Sequence, residues 1–314
     1  MNEYKPTQPM RIQARPGSDA ERAYDVAALP GGAWPMPKAI APGINPAPLE
    51  DLIFHGGKLV PQMEFQNVYL GGHAPWTTGD VESIDTAILR AMQHKGLNNM
   101  MVQYFPGRSL SCDKRDSIFF DDPSLATLDE PDVQRLVAAL YDSSAISKTG
   151  LDTCIFNLLL PPTSVLKLGA VTSSRGLGGY HGSLHLTRNN KTVTLYYSAN
   201  VYSQHLADGT ENGIDVFDSP WKNVVATLYH EINEFRTDAD VNDAIALNSN
   251  DPLGWSSRSG KEVGDQPIFK AGSVGDLHLV FKQISAPPGK KIPVQFLYSN
   301  AVHGAEGPLA KPRP

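Results

Sequence analysis

His230 and Glu234 stand four residues apart with Glu231 between them, in a run from Asp218 to Asp240 that reads D-S-P-W-K-N-V-V-A-T-L-Y-H-E-I-N-E-F-R-T-D-A-D. On a helix this spacing puts the imidazole and the carboxylate one turn apart on one face. Two ligands projecting in parallel from a rigid helix can grip one metal ion with little entropy left to lose. The glutamate after the first ligand is then placed to act as general base on a metal-activated water. That is a metal-hydrolase arrangement, with Glu234 where such enzymes usually put a second histidine. The competing reading is a surface helix whose polar face is merely solvated.

The run carries its own helix instructions. Ser219 is a good N-cap, and Pro220 follows at the first helical position, where its missing N–H costs nothing. Trp221, Val224, Val225, Leu228, Ile232 and Phe235 recur at helical spacing as an apolar stripe. His230 and Glu234 lie roughly opposite Trp221.

Other elements must position this helix. A helix is expected over Val81 to Gln93, with Ile84, Ile88, Leu89 and Met92 on one face, and another over Asp132 to Tyr141, opening after Pro131 with acidic residues. Strands are expected over Leu59 to Leu70 (one long strand or a pair), Asn99 to Phe105, Lys191 to Ala199 and Ile292 to Tyr298. Asp152 to Leu160 is a mostly apolar strand ended by Pro161-Pro162, which suits a sheet covered on both faces. Strands and helices interleave, so the expected fold is α/β or α+β: a single zincin-like domain with a central mixed sheet and the metal-binding helix packed on it. Residues 1–49 are rich in proline and exclude a long helix or central strand. They read as an extended arm over the domain or over a neighbouring subunit, a possible route to a homo-oligomer. The domain is expected over 50–305, with 306–314 as a tail.

With 314 residues, 41% hydrophobic and 19% charged, the chain has ordinary globular composition. A net charge of -6 and a pI near 5.8 leave no basic footprint, so neither nucleic acid nor an anionic membrane is an expected partner. No apolar run reaches membrane-spanning length. The N-terminus lacks the basic start and apolar core of a signal peptide, which favours a cytoplasmic chain, with trimming or another export route left open. Cys112 and Cys154 fit no CxxC pattern and read as buried free thiols rather than a pair.

Several segments, in order, resemble the exordium-like, phosphate-induced proteins of plants and their bacterial relatives. Phe54-His55-Gly56-Gly57-Lys58 with Val68-Tyr69-Leu70 resembles the family's opening Y-H-x-G strand, and Leu158 to Pro162 its L-P-P strand. Gly178-Gly179-Tyr180-His181-Gly182 resembles the G-Y-H-G element. His230 to Asp238 resembles the bacterial H-E-L-x-E-x-x-T-D-P helix, with Ala239 where proline is usual. Gly254-Trp255 with Gly260 to Asp265 resembles the W…G-x-E-I-G-D block, and Tyr298-Ser299-Asn300 the closing W-S-N. The likeness covers roughly residues 51–303. Relatives often carry cysteines near the G-Y-H-G and G-D elements, where Gly178 and Gln266 stand here. That departure fits a chain not built for an oxidising compartment. Plant members typically lack the His-Glu pair, so the fold itself does not require a metal.

The resemblance ties Glu262 and Asp265 to the helix, and one or both are expected as further ligands beside His230 and Glu234. Asp238 is the next choice, with a hydrogen bond to the helix end as its alternative role. Asp240, ten residues after His230, is an outsider. Glu231 is the expected base, with pairing to Arg236 as the alternative. His181 and Tyr180 are expected either to polarise a substrate carbonyl or, as turn residues, to make local hydrogen bonds. One imidazole with two or three carboxylates is a hard ligand set. One divalent ion is expected, zinc first, with calcium, manganese and iron left open. The leading expectation is a zincin-like metal-dependent peptidase acting on a peptide or protein substrate. The alternative is a non-catalytic binding or assembly protein whose metal is structural or absent.

Overall fold

Six strands form the central sheet: β1 (Gln62–Leu70), β2 (Ser111–Lys114), β3 (Ile118–Phe120), β4 (Cys154–Leu159), β5 (Gly179–Arg188) and β6 (Lys191–Asn200). The order is β2-β1-β4-β6-β5, with β3 also pairing with β1 beyond β2. All neighbours run parallel except β5, which returns antiparallel to β6 as a hairpin over Arg188 to Lys191. The sheet is therefore mixed, as expected. The computed structural model describes residues 40–122, 125–243 and 253–313. Most of the expected Pro-rich arm, residues 1–39, lies outside the described residues.

Period-two alternation decides which side chains face which layer. Phe65 and Tyr69 of β1 and Ile155 and Leu159 of β4 point to one face, packed with α1 (Thr78–Met92), α2 (Lys95–Met101) and α4 (Pro220–Thr237). Val68, Leu70, Phe156 and Leu158 point to the other, under α3 (Glu130–Asp142). Both faces are covered, which is why β4 is mostly apolar and buried along its whole length. The helices begin where local chemistry allows. The Thr77 side chain caps α1, and Asp129 and Asp132 form a reciprocal capping box on α3.

A row of polar side chains crosses the α1/α4 face. Asn67, Asn157, Ser198 and His181 stand opposite one another on β1, β4, β6 and β5. Within it, Asn67 donates to Asp85 at 2.8 Å, Asn157 to Asn67 at 2.9 Å and Ser198 to Asn157 at 2.8 Å. The row ends beneath α4.

Asn99 to Phe105, expected as a strand, is instead α2 followed by a 3-10 turn over Val102–Tyr104. Leu97, Met100 and Met101 bury at helical spacing, and His94 caps the start by accepting from the Leu97 N–H. Short apolar runs do not distinguish the two periods. The expected closing strand is interrupted at Phe296. Its first part is β8 (Lys290–Gln295), a hairpin partner of β7 (Phe281–Ala286). The second part, Leu297–Ser299, pairs with Gly304–Glu306. Residues after 306, expected as a tail, dock back: Leu309 and Arg313 donate to the carbonyls of Gly96 and Asn99, and Arg313 pairs with Glu306. No described helix is long and apolar enough to cross a membrane.

Candidate metal centre

α4 is buried from Asn223 to Thr237, including its polar face. Leu228, Ile232 and Phe235 anchor it in the core, each worth about 1.5–3 kcal/mol of burial. The expected cap is different in detail. Ser219 is the cap residue, yet its hydroxyl donates to Asp218, while Asn223 Oδ1 accepts from the N–H groups of Val216 and Phe217. The solvated-face reading fails, because His230 is 2% exposed and Glu231 and Glu234 are wholly enclosed.

Three other elements meet this face. β5 brings His181, β8 brings Gln295, and the turn Lys261–Gly264 leading into α5 (Asp265–Ser273) brings Glu262 and Asp265. His230 Nε2 lies 3.1 Å from Glu234 Oε2, and these two residues with Asp265 offer ligand atoms all within 4.8 Å of one another. Neither His230 Nε2, Glu234 Oε2 nor Asp265 Oδ1 has a hydrogen-bond partner. The other atoms of these residues are fixed. Gly264 N–H donates to Glu234 Oε1 at 3.1 Å, and Glu262 N–H to Asp265 Oδ2 at 3.0 Å.

Gln295 decides the tautomer of His230. Its amide nitrogen donates to the Gly264 carbonyl, which can only accept, so its Oε1 faces His230 Nδ1, 2.7 Å away. Nδ1 therefore carries the hydrogen in the neutral ring, and the Nε2 lone pair points into the cluster. Metal-bound histidines are typically held this way, by an acceptor on the far nitrogen. Two ligands about 2.0–2.2 Å from one ion stand roughly 3–3.4 Å apart, which matches the His230–Glu234 distance. Gly264 is required for the approach, since a Cβ there would sit 2.8 Å from Glu234 Oε1 and closer still to the His230 ring.

His181 is on a strand, not the expected turn. Its Nδ1 is 3.5 Å from Glu231 Oε2 and 3.7 Å from Glu234 Oε2, while its Nε2 lies 3.1 Å from the Asp238 carbonyl and 3.6 Å from Glu262 Oε1. Burial pushes Glu231 up, and burial together with neighbouring carboxylates pushes Glu262 and Asp265 well above the usual range. Burial also lifts Asp238 to about 7 against the Gly254 N–H that its Oδ1 accepts. Burial alone would keep His230 neutral, but Glu234 and Glu231 outweigh it and raise its pKa to about 10.

The structure brings together His230, Glu231, Glu234, Asp238, Glu262, Asp265 and His181. Tyr180, by contrast, alternates to the opposite face of the sheet, where it packs edge-on to Tyr197 in the α3-side core. It cannot serve this site, because adjacent strand residues point to opposite faces. Asp240 also lies apart, accepting from Ser183 Oγ and facing His185. Arg236 does not pair with Glu231; it donates to Asn98 and Ser111. Sequence reasoning missed Gln295, which carries no local signal beyond its place in a closing strand. Comparisons of the chain with protein-family models, curated proteins and solved structures find no significant match.

Proposed function

We propose that the cluster holds a divalent metal ion on His230, Glu234 and Asp265 and that the protein is a metal-dependent hydrolase, with a zincin-like peptidase as the leading form. The observation that carries this is the convergence of three buried ligand atoms that lack hydrogen bonds, one of them an imidazole lone pair aimed inward by Gln295. A buried acceptor without a donor costs about 1–3 kcal/mol, more when charged, so three facing one another call for a cation. The residue blocks that resemble exordium-like proteins include both His230 to Asp238 and Gly260 to Asp265, the two segments that supply this ligand set.

When bound, the ion supplies Lewis-acid activation of a water for attack on a carbonyl or similar centre. The chain supplies the rest. A carboxylate must take the proton from that water, and Glu231 and Glu262 each accept no hydrogen bond at either oxygen. His181 lies between them, with Nδ1 3.5 Å from Glu231 Oε2 and Nε2 3.6 Å from Glu262 Oε1. A second reading, a structural ion in a non-catalytic binding or assembly protein, is favoured by the complete enclosure of Glu231, Glu234, Glu262 and Asp265.

The test pairs elemental analysis of the purified protein with a broad peptide-library screen. Metal in the wild type, none in His230→Ala, and cleavage by the wild type alone support the hydrolase. Metal with no cleavage of any library member favours the structural reading. A metal-free wild type that takes up no ion on reloading overturns both.

A further inference from the structure

His181 repeats the logic of His230 from the opposite side. Its Nε2 faces the Asp238 carbonyl at 3.1 Å, and a carbonyl can only accept, so Nε2 carries the hydrogen in the neutral ring. The Nδ1 lone pair then points at Glu231 Oε2 and Glu234 Oε2, 3.5 and 3.7 Å away. His230 Nε2 reaches the same Glu234 oxygen at 3.1 Å. Two imidazole nitrogens thus converge on one carboxylate oxygen, Glu234 Oε2. An ion among His230, Glu234 and Asp265 leaves His181 Nδ1 and Glu231 Oε2 outside its ligand set, 3.5 Å apart.

Charge points the same way. Glu231, Glu234, Asp238, Glu262 and Asp265 are all fully buried together. Lys261, whose charge reaches Asp265, has its own partner in Glu50 at 3.6 Å. One divalent ion offsets two of the five negative charges these groups carry when ionised; a pair of ions offsets four and leaves a remainder that hydrogen bonds can hold.

We propose that the centre is dinuclear, with one divalent ion on His230, Glu234 and Asp265, a second on His181, Glu231 and Glu234, and Glu234 shared between them. The inference rests on the metal reading above and deepens it. It makes Glu231 a ligand, and it passes the proton-accepting role to Glu262, which belongs to neither ligand group. Carboxylate-rich sets with one imidazole per ion suit manganese, iron or zinc. Paired ions commonly clamp both the attacking and the leaving oxygen in hydrolysis.

The full chain is stripped with chelator, reloaded with excess Mn²⁺, freed of unbound ion by gel filtration, and assayed for ions per chain. Electron paramagnetic resonance is recorded on the same samples. The expected result is two ions per wild-type chain with an exchange-coupled spectrum, one ion in His181→Ala and in Glu231→Gln, and two in His185→Ala. A wild type with one ion and an isolated six-line spectrum, and a Glu231→Gln variant that also holds one, would overturn the dinuclear centre and leave the single-ion reading standing. No ion in the wild type would overturn both. The wild-type spectrum decides the matter even if a variant fails to fold.

Discussion

His181 and His185 lie on the same strand and the same face, four residues apart, and each meets carboxylates from the chain that includes and follows α4. Both sets bring ligand atoms within 4.8 Å of one another, but only the set at His181 is wholly buried. His185 is about 13 Å further along β5, beyond the end of the helix, with its side chain one-third exposed. Its Nε2 pairs with Asp240 at 3.1 Å and Asp243 at 2.8 Å, and its Nδ1 meets Thr194 Oγ1 at 2.9 Å. The three side chains there pair with one another and are partly exposed. His181, under α4, meets carboxylates whose oxygens lack donors. The same residue types make an ordinary surface ion pair in one place and an unbalanced charge cluster in the other. Burial makes the difference, because water no longer solvates what the protein leaves unpaired. The polar row beside His181 gives the third case: Asn67, Asn157 and Ser198 are as buried as the cluster, yet neutral and bonded to one another.

The strongest test of this contrast is Gly264→Ala. The added methyl group collides with His230 and Glu234, so ion affinity should fall by 100-fold or more, read by calorimetric titration. Retained wild-type affinity would break the claim that this turn shapes the centre. Next in size is Asn157→Ala, which strands Asn67 and Ser198. It should cost about 2–4 kcal/mol in urea unfolding while ion stoichiometry stays at the wild-type value. Loss of ions there would mean the neutral row and the cluster are one unit.

His185→Ala should change stability by less than about 1 kcal/mol and leave ion content untouched, since partly exposed ion pairs contribute little. A large effect would erase the distinction between the two histidines. The smallest expected signal comes from the thiols. Burial pushes Cys112 and Cys154 up to about 12, so the thiolate fraction at pH 8 is on the order of 10⁻⁴. Neither cysteine should react with a thiol reagent in the native protein from pH 7 to 9, and both should react in denaturant. Native labelling in the Gly264→Ala variant would show that the centre also holds the core together.

Some of this was legible without coordinates. The α4 boundaries, the mostly apolar β4 and the bodies of α1 and α3 follow from residue periods and, for α4, from its Ser219-Pro220 start; the caps at Thr77 and Asp129 lie ahead of the expected starts at Val81 and Asp132. The His230–Glu234 pair was visible for the same reason. The misreading at Asn99 to Phe105 came from a run too short for either period to declare itself. Tyr180 went astray because a glycine-flanked motif does not reveal strand alternation, which sends Tyr180 and His181 to opposite faces.

What the sequence determined by itself is local: a helix that sets an imidazole and a carboxylate one turn apart with a second carboxylate between them, and strands of the right pattern to lie beneath it. What only the tertiary structure decided is convergence and dryness. Sheet order brings His181 of β5 under α4, the β7–β8 hairpin brings Gln295 to His230 Nδ1 across 65 residues, and the turn before α5 presses Gly264 against both ligands. These meetings depend on how layers pack, and no spacing along the chain encodes them. Packing also excludes water from the cluster, and that exclusion turns a set of common polar residues into a site that calls for cations.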